Sequence, residues 1–219
     1  DALGSRAIAC VAAGSRSSAA VELACGGALS SELAALRRSA IASDCVVLVG
    51  TSRFALHRAI LAARCPQLLV QLLLHERYVG CGELELRRVK PAIFELFCNW
   101  AYTDFLHVPD SHFRWQLGRL AQRLKVPSLF ASCSARADHL VEPLRAPSLP
   151  EDMLALLTSE QFADIELLAI DGCVRASKAV LCARSEFFRG RLLCGLAEAH
   201  VAADTHDVCD LRPYDVRCA

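Results

Sequence analysis

The sequence has little of what marks a nucleic-acid-binding protein or a membrane protein. Its 24 lysines and arginines balance 24 aspartates and glutamates, so the formal net charge is zero. The charges are interspersed, in nothing longer than short pairs such as Arg87-Arg88, which is typical of a solvated surface rather than a binding stripe. No apolar run approaches the roughly 20 residues of a membrane-spanning helix. With aromatic residues at 6%, the composition favours neither nucleic acid nor membrane as a partner.

The short motifs of common catalytic sites are missing as well. The chain holds no P-loop, no Gly-x-Gly-x-x-Gly, no Gly-x-Ser-x-Gly and no His-Glu-x-x-His. His57 and Cys65 stand about two turns apart on one predicted helix, beyond hydrogen-bond reach for a nucleophile and its base. The seven histidines include no pair at i, i+4 with a cysteine at ligand spacing. We therefore expect no enzymatic activity, no cofactor and no metal site.

Cysteine is plentiful, but its spacing is not that of a disulfide framework. The twelve cysteines are scattered singly, with no Cys-x-x-Cys anywhere in the chain. Several, such as Cys98, Cys133 and Cys182, lie on apolar stripes, which is typical of small buried side chains in a reducing compartment. This interpretation is preferred to disulfides or metal ligands because of the spacing. It predicts an intracellular protein, in the cytoplasm or the nucleus.

The chain repeats itself at an offset of 120 residues. Without a gap, Asp44 falls on Asp164 and Arg58 on Lys178. The same register matches positions 29, 33, 36, 48, 59–61, 63 and 64 with 149, 153, 156, 168, 179–181, 183 and 184. After a two-residue expansion, positions 86, 89, 90 and 91 align with 208, 211, 212 and 213. A repeat of this kind predicts two copies of one module.

The repeat and the prolines together predict the domain boundaries. Residues 1–20 are interpreted as a flexible tail on a fragment, since no compact apolar segment of a signal peptide is evident. Residues 21–142 form the predicted first domain. Prolines at 143, 147 and 150 disfavour helix, so 143–150 is predicted to be a linker. Residues 151–219 form a second domain that lacks the last helices, and we expect the natural chain to continue because half a module would leave apolar surface uncovered.

Both copies predict the same local structure. A helix with apolar residues at 29, 33, 36 and 40 opens the module. Strands at 45–49 and 53–56 follow, with counterparts at 165–170 and 173–175 around Asp171-Gly172, a pair that suits a tight hairpin turn. Buried helices are predicted at 57–64 and 177–184. The first copy adds a strand at 83–86 and three helices. The first of these helices begins at Pro91, and the other two carry apolar stripes at 113–124 and at 129–140.

Residues 43–49 (SDCVVLV) and 54–65 (FALHRAILAARC) resemble the signature of the BTB/POZ domain. That family shows Asp-Val with alternating apolar residues, then Phe-x-x-His-Lys/Arg-x-Val-Leu-Ala-x-x-Ser, and later Tyr-Thr-Gly, which here reads Tyr102-Thr103-Asp104. The resemblance covers roughly 21–140 in full and 149–219 for the first half only. It implies an α/β (α+β) fold, in tandem, in which a small mixed sheet is capped by a helix cluster. The second copy has Ser177 in place of His57, so any role of that histidine does not transfer.

The resemblance also implies a charged pair. In several relatives the aspartate and the Lys/Arg fourteen residues later form a pair in a pocket near the dimer interface. The matching residues here are Asp44 with Arg58, and Asp164 with Lys178. A carboxylate and a guanidinium offer bidentate geometry. The alternative is a pair that only stabilises the fold and contacts no partner.

A further implied element binds the cullin scaffold of a ubiquitin ligase. Many relatives carry a hydrophobic-x-Glu element in a loop, and Leu74-His75-Glu76 and Leu196-Ala197-Glu198 fit it. The resemblance thus implies a protein-interaction module whose partners are itself, another BTB protein or a cullin. Two functions stay open: a substrate adaptor of a cullin-type ubiquitin ligase, or a scaffold or transcription-linked oligomerisation module without a ligase. Whether the copies pair within one chain or between chains is also open.

Overall fold

The computed structural model describes residues 26–80, 82–134, 148–169, 172–193 and 210–213. The first module consists of α1 (Gly26–Ser39), β1 (Cys45–Val49), β2 (Ser52–Leu56), α2 (Arg58–Arg64), α3 (Pro66–Val79), β3 (Glu83–Glu85), α4 (Pro91–Thr103), α5 (Ser111–Arg123) and α6 (Pro127–Ser134). The second module consists of α7 (Leu149–Ser159), β4 (Ile165–Ala169), β5 (Gly172–Ala176), α8 (Lys178–Arg184), α9 (Glu186–Leu193) and β6 (Asp210–Pro213).

The sheet of the first module is small and mixed. β1 lies between β2 and β3, antiparallel to β2 with Cys45 opposite Leu56 and parallel to β3 with Val46 opposite Glu83. Gly50 takes a φ of 61° in the hairpin turn, a conformation that favours glycine. Alternate residues of β1 are buried, as expected where one face of a sheet meets a core.

Helix α4 is the centre of the core. It buries seven of its side chains, among them Phe94, Phe97 and Tyr102, so it is apolar on nearly all sides, as a helix enclosed by other elements must be. Phe94 contacts Phe54 of β2 edge-on, with ring centroids 4.8 Å apart. The buried side chains form one cluster that runs through both modules. The modules therefore share a core.

The second module repeats the opening of the first. β4 and β5 pair antiparallel with Ile165 opposite Ala176, and α7 and α8 occupy the positions of α1 and α2 in the order of elements. The predicted alignment of the two copies beyond the two-residue expansion is wrong, however. β6 runs antiparallel to β4, whereas β3 is parallel to β1, and Pro213 ends a strand while Pro91 begins α4.

The structure departs from the predicted elements most clearly at α3 and at the start of α7. The sequence pattern predicts no element at 66–79, where the structure has the 14-residue helix α3. Helix α7 begins at Leu149, inside the predicted linker, because a proline such as Pro150 is accepted in the first turn of a helix. The predicted tail at 1–20 and most of the predicted linker lie outside the described residues, as does the end of the helix predicted at 129–140. Within the described ranges, no helix is long and apolar enough to cross a membrane.

Candidate functional site

The two modules pack against each other within the chain. Helix α1 packs on α8, and α7 packs on α2. Because α7 corresponds to α1 and α8 to α2 in the 120-residue repeat, each module presents the same pair of helices to the other. Reciprocal use of one patch is the mark of an isologous, two-fold interface. The copies therefore pair within one chain, which the sequence leaves open.

Reciprocal ion pairs lie at this inter-module contact. Arg64 of the first module pairs with Asp152 of the second, and Arg184 of the second pairs with Glu32 of the first. Positions 64 and 184, and positions 32 and 152, are 120 residues apart. The two ion pairs are thus copies of one contact. They differ in burial, since the side chain of Arg64 is 0% exposed and that of Arg184 is 36% exposed.

Arg64 has several partners. Its guanidinium lies over the ring of Trp100, 4.3 Å from the centroid, pairs with Asp104 and donates to the hydroxyl of Ser148 over 2.7 Å. Its Nε, in contrast, is buried without an acceptor. A planar, delocalised cation suits stacking and forked donation together, which a lysine could not provide.

Asp104 stands where the family's Tyr-Thr-Gly has glycine. It follows α4 with a φ of 60°, in the left-handed region, which explains why glycine is usual there and why aspartate is tolerated. Its carboxylate pairs with Arg64 and accepts the N–H of Leu149 over 2.6 Å. The departure from the family pattern thus supplies an acceptor that joins the first module to the start of α7.

Asp44 and Arg58 contact each other as predicted, but through backbone groups rather than as a carboxylate–guanidinium pair. Oδ1 of Asp44 accepts the backbone N–H of Arg58 over 2.7 Å, so the carboxylate meets the start of α2, where backbone N–H groups need acceptors. The Arg58 guanidinium donates from Nε to the backbone carbonyl of Asp44 over 3.2 Å and forms its ion pair with Glu76 over 2.9 Å. In the second module Asp164 accepts the N–H of Lys178 over 2.6 Å. The two aspartates share a contact at a helix start, and any role in partner binding stays a prediction.

His57 is buried beside this helix start. Its Nε2 lies 2.8 Å from the carbonyl oxygen of Ile41, and its Nδ1 lies 2.8 Å from the hydroxyl of Tyr102. A carbonyl can only accept, so Nε2 carries the proton and Nδ1 accepts from Tyr102. The hydroxyl also accepts the N–H of His57 over 3.1 Å. Burial lowers the pKa of His57. The neutral ring therefore serves as a structural link between Ile41 and Tyr102.

Leu74 and Glu76 lie on helix α3 and not in a loop, so that part of the prediction is wrong. Leu74 belongs to an apolar stripe with Val70 and Tyr78, at i, i+4 and i+8, that are 47%, 47% and 78% exposed. We call Val70, Leu74 and Tyr78 the α3 stripe. Leu196 and Glu198 lie outside the described residues. The α3 stripe is an exposed apolar feature of the first module that the sequence does not reveal, because its pattern predicts no helix at 66–79.

Comparison with known proteins agrees with this architecture. A family model of the BTB/POZ domain matches residues 33–140 and again 153–217. Mouse Kelch-like protein 40 is 31% identical over 90 residues, which is 41% of this chain and 14% of that protein. The chain therefore spans a small part of the length of this relative.

Solved BTB domains are also similar. The BTB domain of zebrafish PATZ1 is 22% identical with a TM-score of 0.43, covering 53% of this chain and 94% of that chain. The BTB domain of human gigaxonin is 15% identical with a TM-score of 0.45, covering 54% and 97%. The predicted α/β fold with a small mixed sheet and a helix cluster is confirmed. Because the family model matches most of the chain in two segments, the protein belongs to the BTB/POZ family, whose domains are protein-interaction modules and not enzymes.

Proposed function

We propose that this protein is a substrate adaptor of a cullin-type ubiquitin ligase, acting in the cytoplasm or the nucleus, and that the α3 stripe binds the cullin. The observation that carries the proposal is the exposure of Val70, Leu74 and Tyr78 in one row along α3. Exposed apolar rows are costly in water and are typical of sites where proteins associate. Leu74 of this row begins the hydrophobic-x-Glu element of the family resemblance.

The position of α3 suits recruitment. Its strongest packing contacts within the chain are with α2 and β3, whereas the second module packs on α1 and α2. In the part of the chain that the structure describes, Val70, Leu74 and Tyr78 thus stay exposed while the modules are paired. Tyr78 would supply the kind of large amphipathic side chain that dominates binding energy at interfaces.

Glu76 is shared between a fold contact and the proposed interface. Its carboxylate pairs with Arg58, with the two side chains 43% and 26% exposed. A half-exposed ion pair of this kind contributes little to stability, of the order of 1 kcal/mol or less. Changing Glu76 should therefore alter binding without unfolding the module.

The test is calorimetric titration of the full chain with a purified cullin N-terminal domain. The proposal expects micromolar or tighter binding, a loss of at least tenfold in affinity for Leu74→Asp, and no change for Leu154→Asp. Leu154 is a matched control because it is an exposed leucine, 59% accessible, on α7 of the second module. Unaltered thermal unfolding of both variants excludes misfolding as the cause. Equal binding by both variants would refute the α3 stripe as the cullin site.

A charge exchange separates the two roles of Glu76. The double change of Arg58→Glu with Glu76→Arg keeps the ion pair but reverses the charge that a partner meets. If Glu76 contacts the cullin, this variant binds as weakly as Glu76→Lys. If the glutamate only supports Arg58, the exchanged pair restores the affinity that the single change loses. The single change Glu198→Lys, measured by the same calorimetric titration, tests the second hydrophobic-x-Glu element.

The alternative is a scaffold or transcription-linked oligomerisation module without a ligase. The pairing of the two modules within the chain favours it, because a rigid pair can present its outer surfaces in a fixed orientation. Under this alternative the unaltered chain does not bind the cullin domain at any concentration tested. Immunoprecipitates of the chain would then contain partner proteins but no ubiquitin-ligase activity.

A further inference from the structure

A groove lies between the segment that joins β3 to α4 and the outer face of α5. It has a volume of about 980 Å³. Arg87, Arg88 and Lys90 line one side, and Arg119 and Arg123 line the other. We call this the basic groove. No residue of the α3 stripe lines it.

The basic groove concentrates positive charge in a chain whose net charge is zero. None of the residues that line it is acidic. Arg87 pairs with Glu85 outside the groove, over 3.0 Å. Over the part of the chain that the structure describes, no carboxylate forms an ion pair with Arg88, Lys90, Arg119 or Arg123. Clefts lined by one sign of charge focus the potential and attract the opposite charge.

Arg119 and Arg123 are held in place by contacts that leave their charge uncancelled. Arg123 donates from Nη1 to the backbone carbonyl of Arg87 over 2.7 Å, which ties α5 to the opposite side of the groove. The guanidinium of Arg119 lies over the ring of Trp115, 5.1 Å from its centroid. Both contacts are with uncharged groups. Two guanidinium groups are therefore positioned in advance for carboxylates, which reduces the entropy lost on binding.

The groove also offers apolar surface. Trp115 is 57% exposed at its wall, although a tryptophan is expensive to leave in water. The buried side chains of Ile93 and Leu120 form the inner lining. A charged rim around an apolar floor is the usual anatomy of a protein–protein contact. The site thus suits a ligand that carries both carboxylates and an apolar side chain.

We propose that the basic groove binds a short acidic segment of a partner protein, with carboxylates on the arginines and Lys90 and an apolar or aromatic side chain against Trp115. Nucleic acid fits less well. Single strands are held by several successive aromatic side chains along a basic track, and Trp115 is the one aromatic residue among those that line the groove.

The test uses fluorescence anisotropy with the full chain and a fluorescein-labelled ten-residue peptide of glutamates around a central Leu-Phe. The proposal expects saturable binding that weakens as salt rises, because exposed charge pairs are screened. The same peptide with glutamine in place of glutamate should bind at least tenfold more weakly. An oligothymidylate of ten nucleotides should neither bind comparably nor displace the peptide.

Two charge-reversal variants locate the site. Lys90→Glu with Arg119→Glu should weaken peptide binding at least tenfold, whereas Arg38→Glu with Arg77→Glu should leave it within twofold. The control pair carries the same change of charge and lies on exposed positions of α1 and α3. Equal losses in both variants, absence of peptide binding, or tighter binding of the oligothymidylate would each overturn the proposal.

Discussion

Arg64 and Arg184 make the same contact in the two modules but should differ greatly in what they contribute to stability. The Arg64 side chain is fully buried and pairs with Asp104 and Asp152. Replacing it with alanine leaves two carboxylates that are 15% and 36% exposed without their cation. Breaking a buried pair in this way costs about 3 to 5 kcal/mol. We expect the lower part of this range, because Asp152 keeps partial access to water.

Arg184→Ala is the matched comparison. The Arg184 side chain is 36% exposed, so water screens its pairing with Glu32 and an exposed pair contributes about 1 kcal/mol or less. Urea unfolding of the full chain, followed by circular dichroism, should therefore give a much larger loss of stability for Arg64→Ala than for Arg184→Ala. Equal losses, or a loss below about 1 kcal/mol for Arg64→Ala, would refute the link between burial and the strength of the reciprocal ion pairs.

Three further predictions concern buried groups. Tyr102→Phe removes the hydroxyl that serves both the N–H and Nδ1 of His57, and should destabilise the chain by about 2 to 4 kcal/mol in the same urea assay. Because burial lowers the pKa of His57, the unfolded state binds its proton first as the pH falls. The contribution of the neutral His57 to the free energy of unfolding should thus be complete above pH ~6.5 and decline below it. His57→Gln should flatten this pH dependence. Iodoacetamide should alkylate the exposed Cys173 quickly and leave Cys65 untouched at pH 8, because Cys65 is buried with its pKa raised to about 11. Peptide mapping by mass spectrometry reads out both cysteines, and comparable labelling would contradict their difference in burial.

Local sequence patterns predict much of each module. The β-formers at 45–49 become β1, and the apolar spacing at 113–124 becomes α5, because hydrophobic period follows directly from backbone geometry. Helix α3 is the exception. Leu68, Leu69 and Leu72 are buried while Val70 and Leu74 are exposed, so apolar residues occupy most of its faces and no clear helical stripe stands out in the sequence.

The 120-residue repeat is visible in the sequence, but the pairing of the copies depends on tertiary packing. Nothing local indicates that Arg64 meets Asp152 across the module boundary, or that the Arg58 guanidinium forms its ion pair with Glu76 rather than with the carboxylate of Asp44. Both contacts depend on where helices lie after the chain has folded. Long, flexible arginine side chains can reach several carboxylates, and only the packed arrangement selects among them.

The charged residues also show the difference between what the sequence determines and what tertiary packing decides. Composition establishes that positive and negative side chains are equal in number and interspersed, which predicts a solvated surface. The fold brings Arg87, Arg88 and Lys90 opposite Arg119 and Arg123 around one groove. Charge balance is a sum over the whole chain, whereas electrostatic potential depends on distance in space. Local sequence therefore accounts for the modules and their repeat, and tertiary packing selects which of their charges act together.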